Sequence, residues 1–379
     1  MNRNVVIAGY ARSPFHFAKK GALTRMRPDE MAAQVVRGLI EESGVDPADI
    51  EDLIVGCAFP EGEQGLNVAR LIGFLSDLPI SVAGATVNRF CGSSMQSVHM
   101  AAGAIQMNAG EAFLCAGIES MSRVPMAGFN PMLNPGLAEN YPAAYISMGE
   151  TAENVAAKYG IERARQEELA VESHKKAAAA QAAGKLAGEI VKLTLGNEVV
   201  EQDGCIRADT SAEGLAGLKP AFKEDGSVTA GTASPLTDGA SACLVTSEDY
   251  AKERGLPILA RVRAVAVAGC APETMGMGPV VASKKALERA GLKAADMDII
   301  ELNEAFASQA LACADELGLD WDKINLDGGA LALGHPLGAT GARITGKAAQ
   351  LLKREGKQFA LSTQCIGGGQ GIATVLEAA

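Results

Sequence analysis

Ser43-Gly44-Val45, followed by Asp49-Ile50-Glu51-Asp52-Leu53-Ile54-Val55, is matched much later by Ala290-Gly291-Leu292, followed by Asp296-Met297-Asp298-Ile299-Ile300-Glu301-Leu302. In each copy a helical stretch (from Met31 and from Val280) meets a glycine or small-residue turn and then an apolar run of strand length. A glycine lets a helix end in the left-handed region, and a short apolar run after a turn reads as a buried strand. Gly44 and Gly291 lie 247 residues apart, while Gly92 and Gly338, and again Gly110 and Gly356, lie 246 apart. Phe113 and Phe359 keep the same spacing. Separated anchors in one register imply two copies of an α/β unit, with chance the weaker alternative.

Outward from the repeat, strand-like and helical runs alternate. Strands are expected at 5–8, 52–55, 80–87 and 112–116, and helices at 28–43, 67–75 and 94–108, the last closed by Gly110. That alternation is an α/β signature. The stretch from about 121 to 237 does not fit the repeat. It holds a loop rich in Pro, Asn and Met (125–142), a long helical segment (151–186) and a glycine-rich segment (196–231). Long segments of this kind in compact enzymes usually serve the site, so it reads as an insertion over the active face; packing against a neighbouring subunit is the other use. The division is therefore an N-terminal half, 1–120, completed by about 238–260, a loop domain at 121–237, and a C-terminal half at 261–379.

A chain of 379 residues with 48% apolar and 21% charged residues has an ordinary globular balance. A net charge of −11 argues against a nucleic-acid binder but leaves room for an anionic small molecule held by a few local basic residues. The eight cysteines form no C-x-x-C pair, which fits reduced thiols in a cytoplasmic protein rather than zinc or a disulfide scaffold. Val5-Val6-Ile7-Ala8-Gly9 is a first strand without signal-peptide character, and no apolar run approaches a membrane span.

Chemistry is expected at Val87-Asn88-Arg89-Phe90-Cys91-Gly92-Ser93-Ser94-Met95-Gln96. Cys91 stands between an apolar strand and an Ala- and Met-rich helix, where free N–H groups and the helix dipole stabilise a thiolate. The plainer alternative is a small buried hydrophobe. Of four histidines, His16, His99 and His174 have ordinary contexts: His99 reads as a helix residue with a satisfied hydrogen bond, His174 as a solvated one. No pair has metal-ligand spacing. His335 differs, lying in Gly328-Gly329-Ala330-Leu331-Ala332-Leu333-Gly334-His335-Pro336-Leu337-Gly338, on the loop the repeat makes equivalent to that of Cys91. It could be a base or oxyanion donor, or a plain loop histidine. Asn303, in Asn303-Glu304-Ala305-Phe306-Ala307, could be simply a helix N-cap. Cys365 heads Cys365-Ile366-Gly367-Gly368-Gly369-Gln370-Gly371, which lacks the spacing of a dinucleotide fingerprint and instead offers free N–H groups.

Taken together and in order, these four blocks resemble the thiolase family, with Arg12-Ser13-Pro14, Thr229-Ala230-Gly231 and Asp238-Gly239-Ala240 as further landmarks across nearly the whole chain. The resemblance implies a five-layered αβαβα fold of two similar halves plus a loop domain. It is closest to the 3-ketoacyl-CoA thiolases of fatty-acid β-oxidation, through Cys91-Gly92-Ser93-Ser94-Met95-Gln96, Met275-Gly276-Met277-Gly278-Pro279 and Gln370-Gly371-Ile372-Ala373-Thr374.

By that resemblance Cys91 is the acylated nucleophile and His335 takes its proton. His335 and a water held by Asn303 bind the enolate oxygen, and Cys365 is the second acid and base. The N–H groups of Cys91 and Gly367 hold the other oxyanion, so Gly367 is expected to tolerate little change. Coenzyme A is a co-substrate, with no permanently bound cofactor and no metal. Its pantetheine would lie by Ser234, Phe222, Met148 and Phe306, and its phosphates by Lys219 and Lys223, which otherwise read as solvated lysines. A homodimer or tetramer, and a β-oxidation partner bearing hydratase and dehydrogenase activities, are family expectations. Ser147 stands where acetoacetyl-specific relatives carry a histidine, and Pro235 follows Ser234 where glycine is frequent; both disfavour a biosynthetic acetoacetyl-CoA thiolase. A ketoacyl synthase would need a second catalytic histidine, and a silent assembly subunit would not keep all four reactive positions.

Overall fold

Nine strands and eight helices of the computed structural model, which describes residues 3–379, build the frame of the site. The strands are β1 (Val5–Arg12), β2 (Ile50–Cys57), β3 (Ala83–Val87), β4 (Ala112–Ser120), β5 (Thr237–Ser247), β6 (Ala260–Gly269), β7 (Ile299–Leu302), β8 (Phe359–Ile366) and β9 (Gln370–Glu377). The helices are α1 (Pro28–Ser43), α2 (Val68–Leu75), α3 (Ser93–Gln106), α4 (Met148–Tyr159), α5 (Arg163–Ala182), α6 (Gly278–Ala290), α7 (Ala307–Leu317) and α8 (Leu337–Glu355).

Along the sheet the strands run β7-β8-β9-β6-β1-β5-β4-β2-β3. The order β2-β4-β5-β1 in one half is repeated as β7-β8-β9-β6 in the other. In each, the first pair is parallel and the next two antiparallel. Even the place of β3 has a trace, a lone parallel bridge between Ile300 and Ile324. Within the sheet the halves join where Val6 and Ile7 of β1 pair with Arg261 and Ala260 of β6. Gly44 and Gly291 both end their helices at φ near +70° (71° and 70°), as the repeat requires.

Strand alternation produces the layers. Leu53 and Val55 of β2 enter an outer core with Met31, Val35 and Leu39 of α1, while Ile54 between them enters the middle core with Val98 and Ile105 of α3. In the other half Ile300 and Leu302 face the outer core with Val280 and Leu287 of α6 and Leu311 of α7, while Ile299 faces the middle core with Leu351 and Leu352 of α8. Both faces of both half-sheets are thus covered, giving the αβαβα stack with α3 and α8 at its centre.

The two central helices approach closely because their first turns are built of small residues. A Cβ on Gly341 would lie 2.2 Å from the backbone nitrogen of Met95, and one on Gly117 would lie 2.2 Å from the carbonyl oxygen of Gly338. Ser94 Oγ accepts the Ala342 N–H at 2.8 Å. Gly341→Ala is expected to cost about 1–3 kcal/mol, read as a lower denaturation midpoint at unchanged denaturant slope. An unchanged midpoint would contradict this packing.

Several local expectations are corrected. Residues 80–82 precede the strand, and Ile80 is 83% exposed. The helix begun at Ser93 ends at Gln106, and Asn108 rather than Gly110 takes the left-handed conformation (φ 56°). The long 151–186 segment is two helices, α4 and α5, parted at Gly160, whose φ of 64° stops the first. His174 is not solvated: it is buried, and its Nδ1 accepts the Arg207 N–H at 3.0 Å. Between β4 and β5 the inserted stretch is anchored by Arg12, fully buried, which binds Asp203 through two nitrogens at 2.7 and 2.8 Å and Glu189 at 2.8 Å. Lys347 of α8 meets Glu189 at 2.7 Å from the other side.

Candidate active site

In an open sheet the free end of a parallel strand is where loops can gather functional groups. Here Cys91 follows β3, Glu119 lies near the end of β4, Asn303 follows β7, and Cys365 and Gly367 lie at the end of β8. His335 and Cys91 precede the two central helices, so the crossing of α3 and α8 sets their loops against each other.

The turn before Cys91 is held in an unusual conformation. Phe90 has φ 43°, a region that disfavours a bulky side chain. Asn88 Oδ1 accepts the Phe90 N–H at 2.8 Å; Ser93 Oγ accepts the Arg89 N–H at 2.9 Å and donates to the Phe90 carbonyl at 2.6 Å. A Cβ on Gly92 would sit 2.6 Å from Ile366 Cδ1, so that side chain would have to shift to admit one. Gln364 donates to the Cys91 carbonyl, tying the turn to β8.

Cys91 is half-buried and packs with Phe59, Ala58 and Leu337. Burial pushes its thiol up to about 12, the N–H groups of Gly367 and of Cys91 itself oppose this, and the Glu119 carboxylate adds to it. The expected thiolate at the helix start is therefore corrected: desolvation outweighs the N–H groups, and the resting group is a thiol. Alkylation of Cys91 by iodoacetamide is accordingly expected to accelerate about tenfold per pH unit from pH 7 to beyond 9. A plateau near neutrality would contradict it. The same two N–H groups facing one sulfur are the pair a thioester oxyanion at that position would meet.

His335 is buried, and its ring is held at both ends. Nδ1 lies 2.6 Å from Thr340 Oγ1, and Nε2 lies 3.4 Å from Asn303 Nδ2. Its backbone N–H donates to Thr237 Oγ1 at 3.0 Å. Burial pushes the imidazole down to about 3, with the positive Arg343 acting in the same direction. It is thus neutral at ordinary pH and available as a base. Asn303 is not the N-cap of α7, a place taken by Phe306; its Oδ1 is buried with no hydrogen-bond partner among the described residues. Cys365 is buried, and burial and the nearby Cys91 both raise its thiol well above the usual range. Gln364, the neighbour of Cys365 on β8, donates to the Cys91 carbonyl and so sets the two cysteine segments side by side, and Leu337, two residues past the imidazole, packs beside Cys91.

The wall next to Cys365 is apolar. Met148, Ala152, Ala233, Phe306 and Cys365 share one cluster, and Phe222 meets Phe306 edge-on at 5.8 Å between centroids. Ser234 is fixed by its N–H to the Ala305 carbonyl at 2.9 Å. Lys219 and Lys223 are exposed on the neighbouring loop. A Cβ on Gly367 would meet Met148 Sδ at 3.5 Å, an ordinary contact, so the constraint expected there falls on its N–H rather than on space for a side chain. Ser147 caps α4 in a reciprocal pair with Glu150.

Sequence reading missed Glu119, Thr340 and Gln364. Glu119 is buried, and its carboxylate accepts from the Ala58, Phe59 and Gly338 N–H groups at 2.8, 3.3 and 2.9 Å and from Gln64 Nε2 at 2.9 Å. It thereby joins the loop beside Cys91 to the start of α8. A carboxylate ending the apolar run 112–118 was the available signal.

The description "Thiolase, N-terminal domain" matches residues 5–249, and "Thiolase, C-terminal domain" matches residues 256–378. The 3-ketoacyl-CoA thiolase of Bacillus subtilis (strain 168) is 46% identical over 390 residues, covering 100% of both chains. That of Pseudoalteromonas translucida (strain TAC 125) is 48% identical, covering 99% of this chain and 98% of the other. Human mitochondrial 3-ketoacyl-CoA thiolase in complex with CoA superposes with a TM-score of 0.92 at 36% identity, covering 100% of this chain and 98% of that one. A two-copy α/β sheet with two cysteines and an asparagine at its strand ends and a histidine before a central helix, matched over its full length in this way, places the chain in the thiolase family.

Proposed function

We propose that this chain is an acyltransferase that cleaves a 3-ketoacyl-CoA with coenzyme A, giving acetyl-CoA and a shortened acyl-CoA in fatty-acid degradation. The observation that carries the reading is a buried imidazole held between Thr340 and Asn303, with Cys91 and Cys365 on adjoining segments tied together by Gln364. Cys91 sulfur attacks the 3-keto carbon as His335 Nε2 takes the thiol proton. Because both groups start neutral, attack and proton transfer go together rather than through a standing ion pair. The C2–C3 bond then breaks, leaving the acyl group on Cys91 and an acetyl-CoA enolate whose oxygen faces His335 and a water on Asn303. Cys365 gives its proton to the enolate carbon. As a thiolate it takes the proton of incoming CoA, whose sulfur attacks the acyl-cysteine, and Cys91 leaves and recovers its proton from His335. The tetrahedral oxyanion of that exchange sits on the N–H groups of Cys91 and Gly367, each such donor contributing about 3 kcal/mol.

Residues 121–237 form the covering domain in this reading, with CoA along Met148, Phe222, Ser234 and Phe306 and its phosphates toward Lys219 and Lys223. The apolar wall at Met148 and Phe306 suits a pantetheine arm. The chain assembles as a homodimer or tetramer: Leu66, Phe74 and Ile80 are 90%, 51% and 83% exposed beside the edge strand β3, and a second copy there would cover them. No described helix is long and apolar enough to cross a membrane, and the reading places the protein in the cytoplasm. Thiolysis rates on acetoacetyl-CoA and on longer 3-ketoacyl-CoA substrates test it: a higher kcat/KM on the longer chains supports degradation, and activity confined to acetoacetyl-CoA contradicts it.

A further inference from the structure

Thr340 makes two contacts that fix where the proton of His335 resides. We propose that Thr340 is the positioning residue that holds His335 as the Nδ1–H tautomer, leaving the Nε2 lone pair toward the reacting sulfur. This rests on the assignment of His335 as the base and adds a residue that the family blocks read from the sequence do not include.

Donor counting gives the tautomer from two sides. A threonine hydroxyl has one proton, and Thr340 Oγ1 lies 3.0 Å from the Pro336 carbonyl four residues back, the usual back-bond of a threonine in a first helical turn. With the hydroxyl proton on that carbonyl, Thr340 Oγ1 accepts across its 2.6 Å contact and His335 Nδ1 carries the hydrogen, the arrangement we propose. From the other side, the amide nitrogen of Asn303 lies 3.4 Å from Nε2, and in this orientation it offers a proton to an Nε2 lone pair. Both constraints name one tautomer, and each comes from a different element.

Position in the fold explains why a hydroxyl is present. Thr340 is buried in the first turn of α8, where the small run Gly338-Ala339-Thr340-Gly341 passes α3 and β4 at backbone contact. Its side chain turns back toward the loop that carries His335. The imidazole is buried, so a ring without this partner would have to bury a bare Nδ1–H or move its proton to Nε2. In the second arrangement Nε2 is already protonated and cannot take the Cys91 proton.

The test uses the full chain with 15N-labelled histidine, whose four histidines make assignment by a His335→Asn variant practicable. The free wild-type protein is expected to show His335 protonated at Nδ1 and bare at Nε2. Thr340→Val should shift that signal toward the other tautomer and lower kcat about 10- to 1,000-fold with little change in KM, and Thr340→Ser should restore both. An Nε2–H signal in the wild type overturns the proposal, as does a valine variant that keeps both the wild-type signal and the wild-type kcat. If the valine variant does not fold, the wild-type signal and the serine variant still decide. The tautomer is read without substrate, so absent thiolysis in the wild type would count against the proposed function and not against Thr340.

Discussion

Cys91→Ala is expected to lower thiolysis of 3-ketoacyl-CoA by about 10,000-fold or more while leaving the denaturation midpoint nearly unchanged. The asymmetry comes from its setting. Cys91 is only half-buried and contributes little packing, whereas its sulfur is the atom to which the acyl group must be attached. Serine should rescue little. Its alkoxide is harder to form at a position where burial already pushes a thiol to about 12, and its ester is a poorer donor to a second thiol. Steady-state rates with thermal or chemical denaturation in parallel check the pair of outcomes. A Cys91→Ala enzyme retaining a tenth of wild-type activity would remove Cys91 from the mechanism.

His335→Ala is the second large effect, a fall of about 1,000- to 100,000-fold in kcat, because one ring serves as base and as oxyanion contact. The sign of the pH effect follows from burial. The folded-state imidazole titrates at about 3, well below its ordinary 6.5, so the neutral form is the one the fold favours. Lowering pH from 8 to 5 therefore should not protonate His335, and the wild-type rate should show no acid limb near 6.5 from this residue. A limb at 6.5 that disappears in the His335→Ala variant would contradict the buried, neutral base. Acid stability moves with the same sign: below about 6.5 the unfolded chain binds a proton that folded His335 refuses until about 3, so stability falls across that window.

The fold was legible because the repeat left its mark at positions where backbone geometry restricts the residue. Gly44 and Gly291 are both left-handed helix ends, and Phe113 and Phe359 both stand at the starts of equivalent strands. Boundaries were less legible. Ile80 looks like strand by composition but is 83% exposed beyond the pairing that starts at Ala83. Gly110 looks like a helix stop, yet its φ of 146° serves a close approach to Glu51 instead. Gly160 was lost in the middle of a long polar and alanine-rich run whose periodicity continues on either side.

At the site, residues whose chemistry is rare were readable and their supports were not. Cys91, His335 and Cys365 stand out by type and by the glycines around them. Glu119 acts from a distant segment, reaching Gly338 across 219 positions, and no local pattern encodes such a partner; Thr340 stands five residues past His335, but only the fold of that turn brings its hydroxyl to the ring. The protonation state of Cys91 was likewise misjudged from the helix start alone, because desolvation depends on everything packed around the sulfur and not on its own turn.

The central claim is that one sulfur, Cys91, carries the acyl group between two coenzyme A molecules with Cys365 and His335 at hand. Mass mapping after mixing the protein with a 3-ketoacyl-CoA in the absence of free CoA tests it most directly. One shortened acyl group per chain on Cys91, with one acetyl-CoA released and the acyl group discharged on adding CoA, is the expected result. An acyl group on another residue, or cleavage with Cys91 never modified, would contradict it.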